Sequence, residues 1–151
     1  MKPGTASHFP YKHSDITERI IADFYKVYNG LGFGFLEKVY ENALCIELAK
    51  SGLNPEQQCS IPVFYAGHIV GQYFADIVVA GEVLVEIKAV SKLAQEHEAQ
   101  LINYLKATPF EVGLLLNFGP KAEIKRRSFE NTRKEWWRVQ NLSDDKKSAK
   151  S

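Results

Sequence analysis

The sequence predicts an α/β protein in which a central mixed β-sheet is flanked by helices. Two stretches with helical spacing of apolar residues come first, and three runs rich in β-branched and aromatic residues follow them. A third helical stretch then precedes the short, continuously apolar run 110–117, which is typical of a strand buried on both faces. A helix that joins two strands in this way makes a right-handed crossover, so these two strands are expected to be parallel.

The first two elements are predicted to be helices. The first runs from a cap at Ser14 or Asp15 to about Tyr28. It carries a single apolar stripe, formed by Ile16, Ile20, Ile21, Phe24 and Val27. The glycine-rich segment 29–34 interrupts the helical pattern, and the second helix is expected over about 35–50, before Gly52.

The remaining elements alternate in type. Strands are expected at 58–65, 69–79 and 83–89, and Pro62 indicates that the first of them begins irregularly or lies at a sheet edge. The third helix is expected at about 92–106. After the buried strand, the pattern predicts a last strand at 122–129 and a short helix at 131–139.

Length and composition fit one soluble domain spanning 13–140, because 151 residues, 45% of them hydrophobic, suffice for a single sizeable core. The polar segment 1–12 is expected to be a flexible lead-in and 141–151 a disordered tail. The sequence has neither a long apolar run nor a secretory signal, so we expect a cytoplasmic protein with no membrane partner. Its two cysteines predict neither a disulfide framework nor a metal-binding pair.

The strongest chemical signal lies in the hairpin formed by the second and third strands. A short turn at Gly81 places Asp76 opposite Glu86, and alternation puts Lys88 on the same face. Two converging carboxylates can hold a hard cation such as Mg²⁺, and a lysine beside them can hold or deprotonate an attacking water. The plainer interpretation is a solvated hairpin face that carries the same three charges.

Two of the helices carry further candidates. Glu37, in the first turn of the second helix, would bring a third carboxylate to the cation directly or through water, although an acid there also suits the helix dipole. Tyr40 follows three residues later and is either a site residue or part of the core. On the third helix Gln100 and Tyr104 share a face. The alternative for this pair is an amphipathic helix whose tyrosine packs in the core.

Positive charge is distributed unevenly along the chain. The net charge is only +1, but seven basic residues lie between Lys121 and Arg138. Among them Lys125, Arg126 and Arg127 are candidates for binding nucleic-acid phosphates, the alternative being a solvated last strand. Two tryptophans in the same stretch, Trp136 and Trp137, are expected to seal the core.

Part of this pattern resembles a known family. The spacing Gly34-x-x-Glu37-x-x-Tyr40 is similar to the signature of the GxxExxY family, which is placed in the PD-(D/E)XK nuclease superfamily. The resemblance covers the chain from roughly Ile16 to Phe129 in motif order and spacing.

The other candidates fit the same superfamily. Asp76 and the run Glu86-Ile87-Lys88 are similar to its metal-binding and catalytic positions, although Ala75 stands where the superfamily's name has a proline. Gln100-x-x-x-Tyr104 resembles the Gln-x-x-x-Tyr motif of RecB-type and lambda-exonuclease-type members.

The resemblance implies a restriction-endonuclease-like core and Mg²⁺- or Mn²⁺-dependent hydrolysis of phosphodiester bonds in DNA, with RNA left open as a substrate. It implies cation binding by the side chains of Asp76, Glu86 and Glu37 and the main chain of Ile87. Lys88 would orient or activate the nucleophile. The substrate would be positioned by Gln100, Tyr104 and Tyr40.

Two other classes of function stay open at this point. One is a non-catalytic nucleic-acid- or protein-binding module that has kept the nuclease fold, and the other is a small-molecule enzyme, for which the sequence carries no cofactor motif. Many small nucleases dimerise to cut both strands, so a homodimer is left open as well.

Overall fold

The computed structural model describes residues 13–141. Every helix and strand expected up to residue 129 is present, with ends displaced by three residues or fewer. The helices are α1 (Ser14–Leu31), α2 (Glu37–Lys50) and α3 (Gln95–Ala107), and the strands are β1 (Pro55–Tyr65), β2 (His68–Val79), β3 (Val83–Lys88), β4 (Val112–Phe118) and β5 (Ala122–Ser128). The short helix expected at 131–139 is divided into a 3-10 turn at Asn131–Arg133 and a helical segment at 135–141. The segments predicted to be flexible, 1–12 and 141–151, lie outside the described residues apart from Asn141.

The five strands form one mixed sheet in the order β1-β2-β3-β4-β5. Strands β3 and β4 are parallel, with Val83 beside Val112 and Lys88 beside Asn117, and the other three pairings are antiparallel. Helix α3 makes the crossover between the two parallel strands. The predicted mixed sheet and its parallel pair are therefore confirmed.

Helices cover both faces of the sheet, so the core has two layers. Helices α1 and α2 pack on one face, where Phe24 and Leu44 join Ile77 and Val85 in the larger cluster. Helix α3 packs on the other face. Its contacts with the sheet centre on two leucines, Leu101 against Leu115 and Leu105 against Leu84. Every residue of β4 is buried, as its continuously apolar sequence predicts.

The turn between β2 and β3 fixes the register on which the acidic residues depend. Ala80 and Gly81 both have left-handed backbone, with φ of 54° and 66°, and the Glu82 N–H donates to the Val79 carbonyl at 3.0 Å. Two consecutive left-handed residues give the turn that matches the twist of a hairpin. Val79 therefore pairs with Val83, in the predicted register, and extending the ladder by one pair beyond Ile77 and Val85 brings Asp76 opposite Glu86.

The starts of the first two helices differ from the sequence prediction. Ser14 is already inside α1, and His13 precedes it with left-handed backbone and no capping side-chain bond, while its imidazole lies 2.8 Å from the Glu82 carboxylate. The residue that caps α1 is therefore His13, whose carbonyl accepts from the Thr17 N–H at 2.9 Å, and not Ser14 or Asp15. Helix α2 starts at Glu37, and its own first turn binds the backbone just before it: the Tyr40 hydroxyl donates to the Gly32 carbonyl and accepts from the Phe35 N–H.

Strand β1 forms one edge of the sheet and is irregular, as Pro62 suggests. Its pairing with β2 shifts register between Val63 and Phe64, and Gln58 has left-handed backbone with φ of 50°. None of the helices within 13–141 has the length and apolarity that crossing a membrane requires.

Candidate active site

The Asp76 and Glu86 side chains are hydrogen-bonded to the backbone across the β2–β3 hairpin. The Ile87 N–H donates to Asp76 Oδ2 at 2.8 Å, and the Asp76 N–H donates to Glu86 Oε2 at 3.3 Å. Each carboxylate therefore accepts a hydrogen bond from the backbone of the strand opposite, which limits its rotation. The two acids are brought together as the sequence predicts, and only the backbone of Ile87 reaches them, because its side chain lies in the core.

Burial dominates the electrostatics of this acidic pair. The pKa of Glu86 is raised to about 7: burial is the largest cause and the charges of Glu41 and Glu37 add to it, while the Asp76 N–H and the Lys88 ammonium oppose the rise. Burial also raises the pKa of Asp76, against the hydrogen bond from Ile87. Both carboxylates are thus partly desolvated, and the charge of Lys88 does not fully offset the energetic cost of burying them. A bound divalent cation would stabilise their charged forms.

Glu41 is a carboxylate of the site that the sequence reasoning missed. It is buried, and its oxygens accept from Lys38 Nζ at 3.0 Å, Gln57 Nε2 at 2.8 Å and Gln58 Nε2 at 3.1 Å. Its charge raises the pKa of both Asp76 and Glu86. The available signal was its position four residues after Glu37, which places the two acids on one helix face.

Glu37 itself is exposed in the first turn of α2. Of the two α2 acids, Glu41 has the larger effect on the pKa of Glu86, and only Glu41 affects that of Asp76. The two glutamates therefore contribute differently: Glu41 is fixed by amide and ammonium donors, whereas Glu37 stands at the open side of the site.

Gln58 is the second residue that the sequence did not reveal. The pairing of β1 with β2 continues on both sides of it, but Gln58 itself has left-handed backbone, which is costly for a residue with a side chain. Its side-chain amide donates to Glu41, and the Gln58 side chain is close enough to Asp76 to lower the pKa of that carboxyl. No sequence pattern marks a left-handed glutamine inside a strand.

Lys88, Gln100 and Tyr104 surround the acidic pair from β3 and α3. Lys88 is half-buried, and its charge lowers the pKa of both Asp76 and Glu86. Gln100 Nε2 donates to the Tyr104 hydroxyl at 2.9 Å, and after burial the charge of Glu86 is the next cause that raises the pKa of Tyr104. The Tyr104 ring stacks on Tyr73 with centroids 3.6 Å apart, which fixes α3 relative to β2.

Tyr40 lies inside the protein rather than in an open cleft. It is fully buried, and its ring stacks on Phe118 with centroids 4.3 Å apart. This is the core role that the sequence left open. Through its two hydroxyl bonds it holds the segment 32–35 ahead of Glu37, so any influence on the site passes through that segment.

The three basic candidates of β5 do not form one surface. Lys125 Nζ lies 3.7 Å from Glu98 of α3, and Arg127 pairs with the same carboxylate. Alternation along β5 turns Arg126 to the opposite face, together with Ile124, which packs on the α1–α2 layer. Lys125 and Arg127 are thus partly neutralised by Glu98, and Arg126 is separated from them by the sheet.

The donor chemistry of the acidic pair fits a hard divalent cation. Carboxylate and main-chain oxygens are the ligands that Mg²⁺ and Mn²⁺ prefer, and Asp76, Glu86 and the Ile87 carbonyl supply that set. No group of three or more histidine, cysteine or acidic side chains within 13–141 is already arranged as a metal site. Amide and ammonium donors already bind the Glu41 oxygens.

A mixed five-stranded sheet flanked by helices, with its acids at the parallel β3 strand and the neighbouring β2, defines a restriction-endonuclease-like α/β core. The family model of the PD-(D/E)XK nuclease superfamily matches residues 14–127. The chain therefore belongs to the PD-(D/E)XK nuclease superfamily.

Two other comparisons add little to this assignment. Among solved structures, the crystal structure of SSO0001 is similar with a TM-score of 0.47 and 18% sequence identity, over 85% of this chain. This chain spans 64% of the length of that one, and a likeness of this size carries no argument about function. A search of curated proteins gives no match.

Proposed function

We propose that this protein is a metal-dependent nuclease that hydrolyses phosphodiester bonds in DNA. The observation that carries the proposal is the pair of desolvated carboxylates, Asp76 and Glu86, fixed by hydrogen bonds from the β2 and β3 backbones. Membership of a nuclease superfamily supports a nucleic-acid substrate. The Gly34-x-x-Glu37-x-x-Tyr40 spacing supports a place in the GxxExxY family.

The proposed cation ligands are the side chains of Asp76 and Glu86 and the main-chain carbonyl of Ile87, with Glu37 reaching the ion directly or through water. Mg²⁺ or Mn²⁺, when bound, supplies polarisation of the scissile phosphate and a water of lowered pKa. Glu41 stays bound to its amide donors and keeps the local potential negative, which favours cation entry.

The other residues handle the water and the phosphate. Lys88 lies close enough to Asp76 and Glu86 to lower their pKa, so its ammonium can hold the attacking water and offset the negative charge that develops on the phosphate. Gln100 and Tyr104, already hydrogen-bonded to each other, would orient a phosphate oxygen above the acids.

The test is cleavage by the wild type and by Glu86→Gln, which keeps the side-chain shape but removes the charge. Labelled linear, circular and single-stranded DNA, and RNA of the same sequence, are incubated with Mg²⁺, Mn²⁺ or EDTA. Glu96→Gln is the matched control, because Glu96 is exposed on α3 and has no part in the proposed chemistry.

We expect metal-dependent cutting of DNA by the wild type and by Glu96→Gln, and none by Glu86→Gln. Loss of the circular substrate would indicate internal cleavage. If all three proteins leave every substrate intact while calorimetry detects no Mg²⁺ or Mn²⁺ binding, the nuclease proposal is wrong and a binding module that retains the fold replaces it.

A further inference from the structure

A second concave site lies at the far end of α3. It is a cavity of about 270 Å³ between the end of β1, the last turn of α3 and the segment 129–136. Its lining combines aromatic rings with basic side chains. None of the candidate residues of the acidic site belongs to it.

Two exposed cationic side chains of this cavity, Lys106 and Arg133, lie over the ring of Phe129. Lys106 Nζ lies 5.5 Å and Arg133 Cζ 4.4 Å from the centroid of Phe129. Within the described part of the chain neither is in an ion pair with a carboxylate, although Glu135 is also in the lining. Their contacts with the Phe129 ring, and the absence of a carboxylate partner within 13–141, favour the binding of an anion by both cations.

The aromatic wall of the cavity is held by a ring stacking and a hydrogen bond. Phe64 stacks on Trp136 with centroids 4.4 Å apart, and Trp136 Nε1 donates to the Lys106 carbonyl at 2.8 Å. At the rim Tyr65 is 73% exposed and offers an uncovered ring. Lys134 is different from the two exposed cations, because it is buried and donates to the carbonyls of Thr108 and Phe110.

The positive surface continues beyond the cavity. Arg133 also lines a neighbouring hollow together with Arg138, which is exposed and likewise has no carboxylate ion pair in 13–141. By contrast, Lys125 and Arg127 share Glu98. The cations best placed for a polyanion are therefore those of the cavity and not those of β5.

The cavity and the acidic site lie along the same helix. Tyr104, beside Glu86, is two residues from Lys106, and Gln100 is six residues from it, which is about 9 Å along a helix axis. Residues two apart point to different sides of a helix, so a strand that passes Gln100 and Tyr104 would have to cross the surface of α3 to reach Lys106 and the cavity.

We propose that this cavity binds an unpaired nucleotide of a nucleic-acid strand, with Lys106 and Arg133 on a phosphate and Tyr65 stacked on the base. Cations in reach of a backbone phosphate and an open aromatic ring are the combination that single-strand binding uses. This inference rests on the proposed nuclease function. It implies that the nuclease acts on nucleic acid that is single-stranded, or frayed, near the cut.

The test measures binding without cleavage. A short fluorescein-labelled oligothymidylate, with a blunt hairpin duplex for comparison, is titrated with protein in EDTA and followed by anisotropy and by tryptophan emission, since Trp136 lines the cavity. The variants are Lys106→Ala and Arg133→Ala. Lys121→Ala is the matched control, an exposed lysine of the same basic stretch that does not line the cavity.

We expect the wild type and Lys121→Ala to bind the single strand more tightly than the duplex, and each cavity variant to bind it about tenfold more weakly. The slope of log affinity against log salt should become shallower by roughly 0.7 for each phosphate that the variant no longer neutralises. Equal affinity of all four proteins would overturn the inference. Binding of a polyglutamate peptide in place of the oligonucleotide would also overturn it.

Cleavage assays separate this inference from the nuclease proposal. Glu86→Gln should bind the oligonucleotide as the wild type does and cut nothing. If the wild type binds through Lys106 and Arg133 but never cuts, only the nuclease proposal fails. If the cavity variants bind and cut single-stranded DNA like the wild type, only the cavity inference fails.

Discussion

Gln58 stands opposite Asp76 on the neighbouring strand, with left-handed backbone, and its side chain lowers the pKa of the Asp76 carboxyl. The same amide donates to Glu41. A strained backbone position is thus used to hold two acids of different elements, one from β2 and one from α2. Strain of this kind is common where a site needs a fixed geometry.

Gln58→Leu is expected to lower DNA cleavage about tenfold or more at a fixed Mg²⁺ concentration. The leucine keeps the size of the side chain but removes a hydrogen bond to a charged group, worth about 1.5–3 kcal/mol. Gln57→Leu is the control, because the Gln57 amide donates to Glu41 and Asn42 but, unlike Gln58, has no effect on the pKa of Asp76. Equal loss in both variants would show that the bond to Glu41, and not the effect of Gln58 on Asp76, is what matters.

In EDTA, the free energy of unfolding should fall as the pH rises from about 4.5 to about 7. Glu86 has its pKa raised from 4.5 to about 7 in the folded state, so the folded protein binds more protons than the unfolded chain across this range. The contribution is fully present below pH 4.5 and lost above pH 7, with a size on the order of 2 kcal/mol.

Urea unfolding at a series of pH values measures this slope. Glu86→Gln should flatten it, and Mg²⁺ should restore stability in the wild type above pH 7 because the cation binds the folded state alone. An unchanged slope in Glu86→Gln would assign the titration to another group.

Lys88→Met should abolish cleavage while leaving cation affinity nearly intact. The methionine keeps the length and apolar stem of the side chain but removes the ammonium that holds the water, and the acids Asp76 and Glu86 remain. Asp76→Asn should instead weaken cation binding, and isothermal calorimetry with Mn²⁺ distinguishes the two. Unchanged Mn²⁺ affinity in Asp76→Asn would contradict the assignment of Asp76 as a ligand.

Gly119→Ala should destabilise the protein by about 2 kcal/mol. A Cβ at this position would lie 2.2 Å from the Val90 carbonyl, which Asn117 binds through its amide at 3.0 Å. The clash displaces the segment that follows Lys88 and should reduce cleavage as well. Thermal unfolding provides the measurement.

Gly30→Ala is the control for this substitution. Gly30 lies in α1 with no atom within 4 Å of the added methyl group, so alanine should stabilise the helix by about 0.5–1 kcal/mol. A similar loss of stability in both variants would mean that the contact with Val90 is not the cause.

Local sequence patterns were sufficient to predict the sheet and the hairpin that carries Asp76 and Glu86. The alternation in β2 and β3 and the turn at Gly81 determine the register, and that register brings Asp76 opposite Glu86. The crossover helix determines that β3 and β4 are parallel. Each of these features depends on residues that are close together in the chain.

The rest of the site depends on contacts between distant segments. In the sequence, Glu41 is one more charged residue on an amphipathic helix. Its place in the site depends on hydrogen bonds from Gln57 and Gln58 of β1, which are distant in the chain. The buried position of Tyr40 depends on Phe118, far along the chain. The separation of Arg126 from its neighbours depends on which face of β5 meets α3, and that is decided by packing.

The irregular outer strand also bears on how copies of the chain can associate. Pro62 supplies no N–H, Gln58 turns its backbone out of the extended conformation, and the register shifts at Val63. These features interrupt the regular ladder that a second sheet would need in order to continue along β1. If two copies of this chain associate to cut both strands, they should therefore meet through side-chain surfaces. Backbone pairing between two β1 strands is not expected.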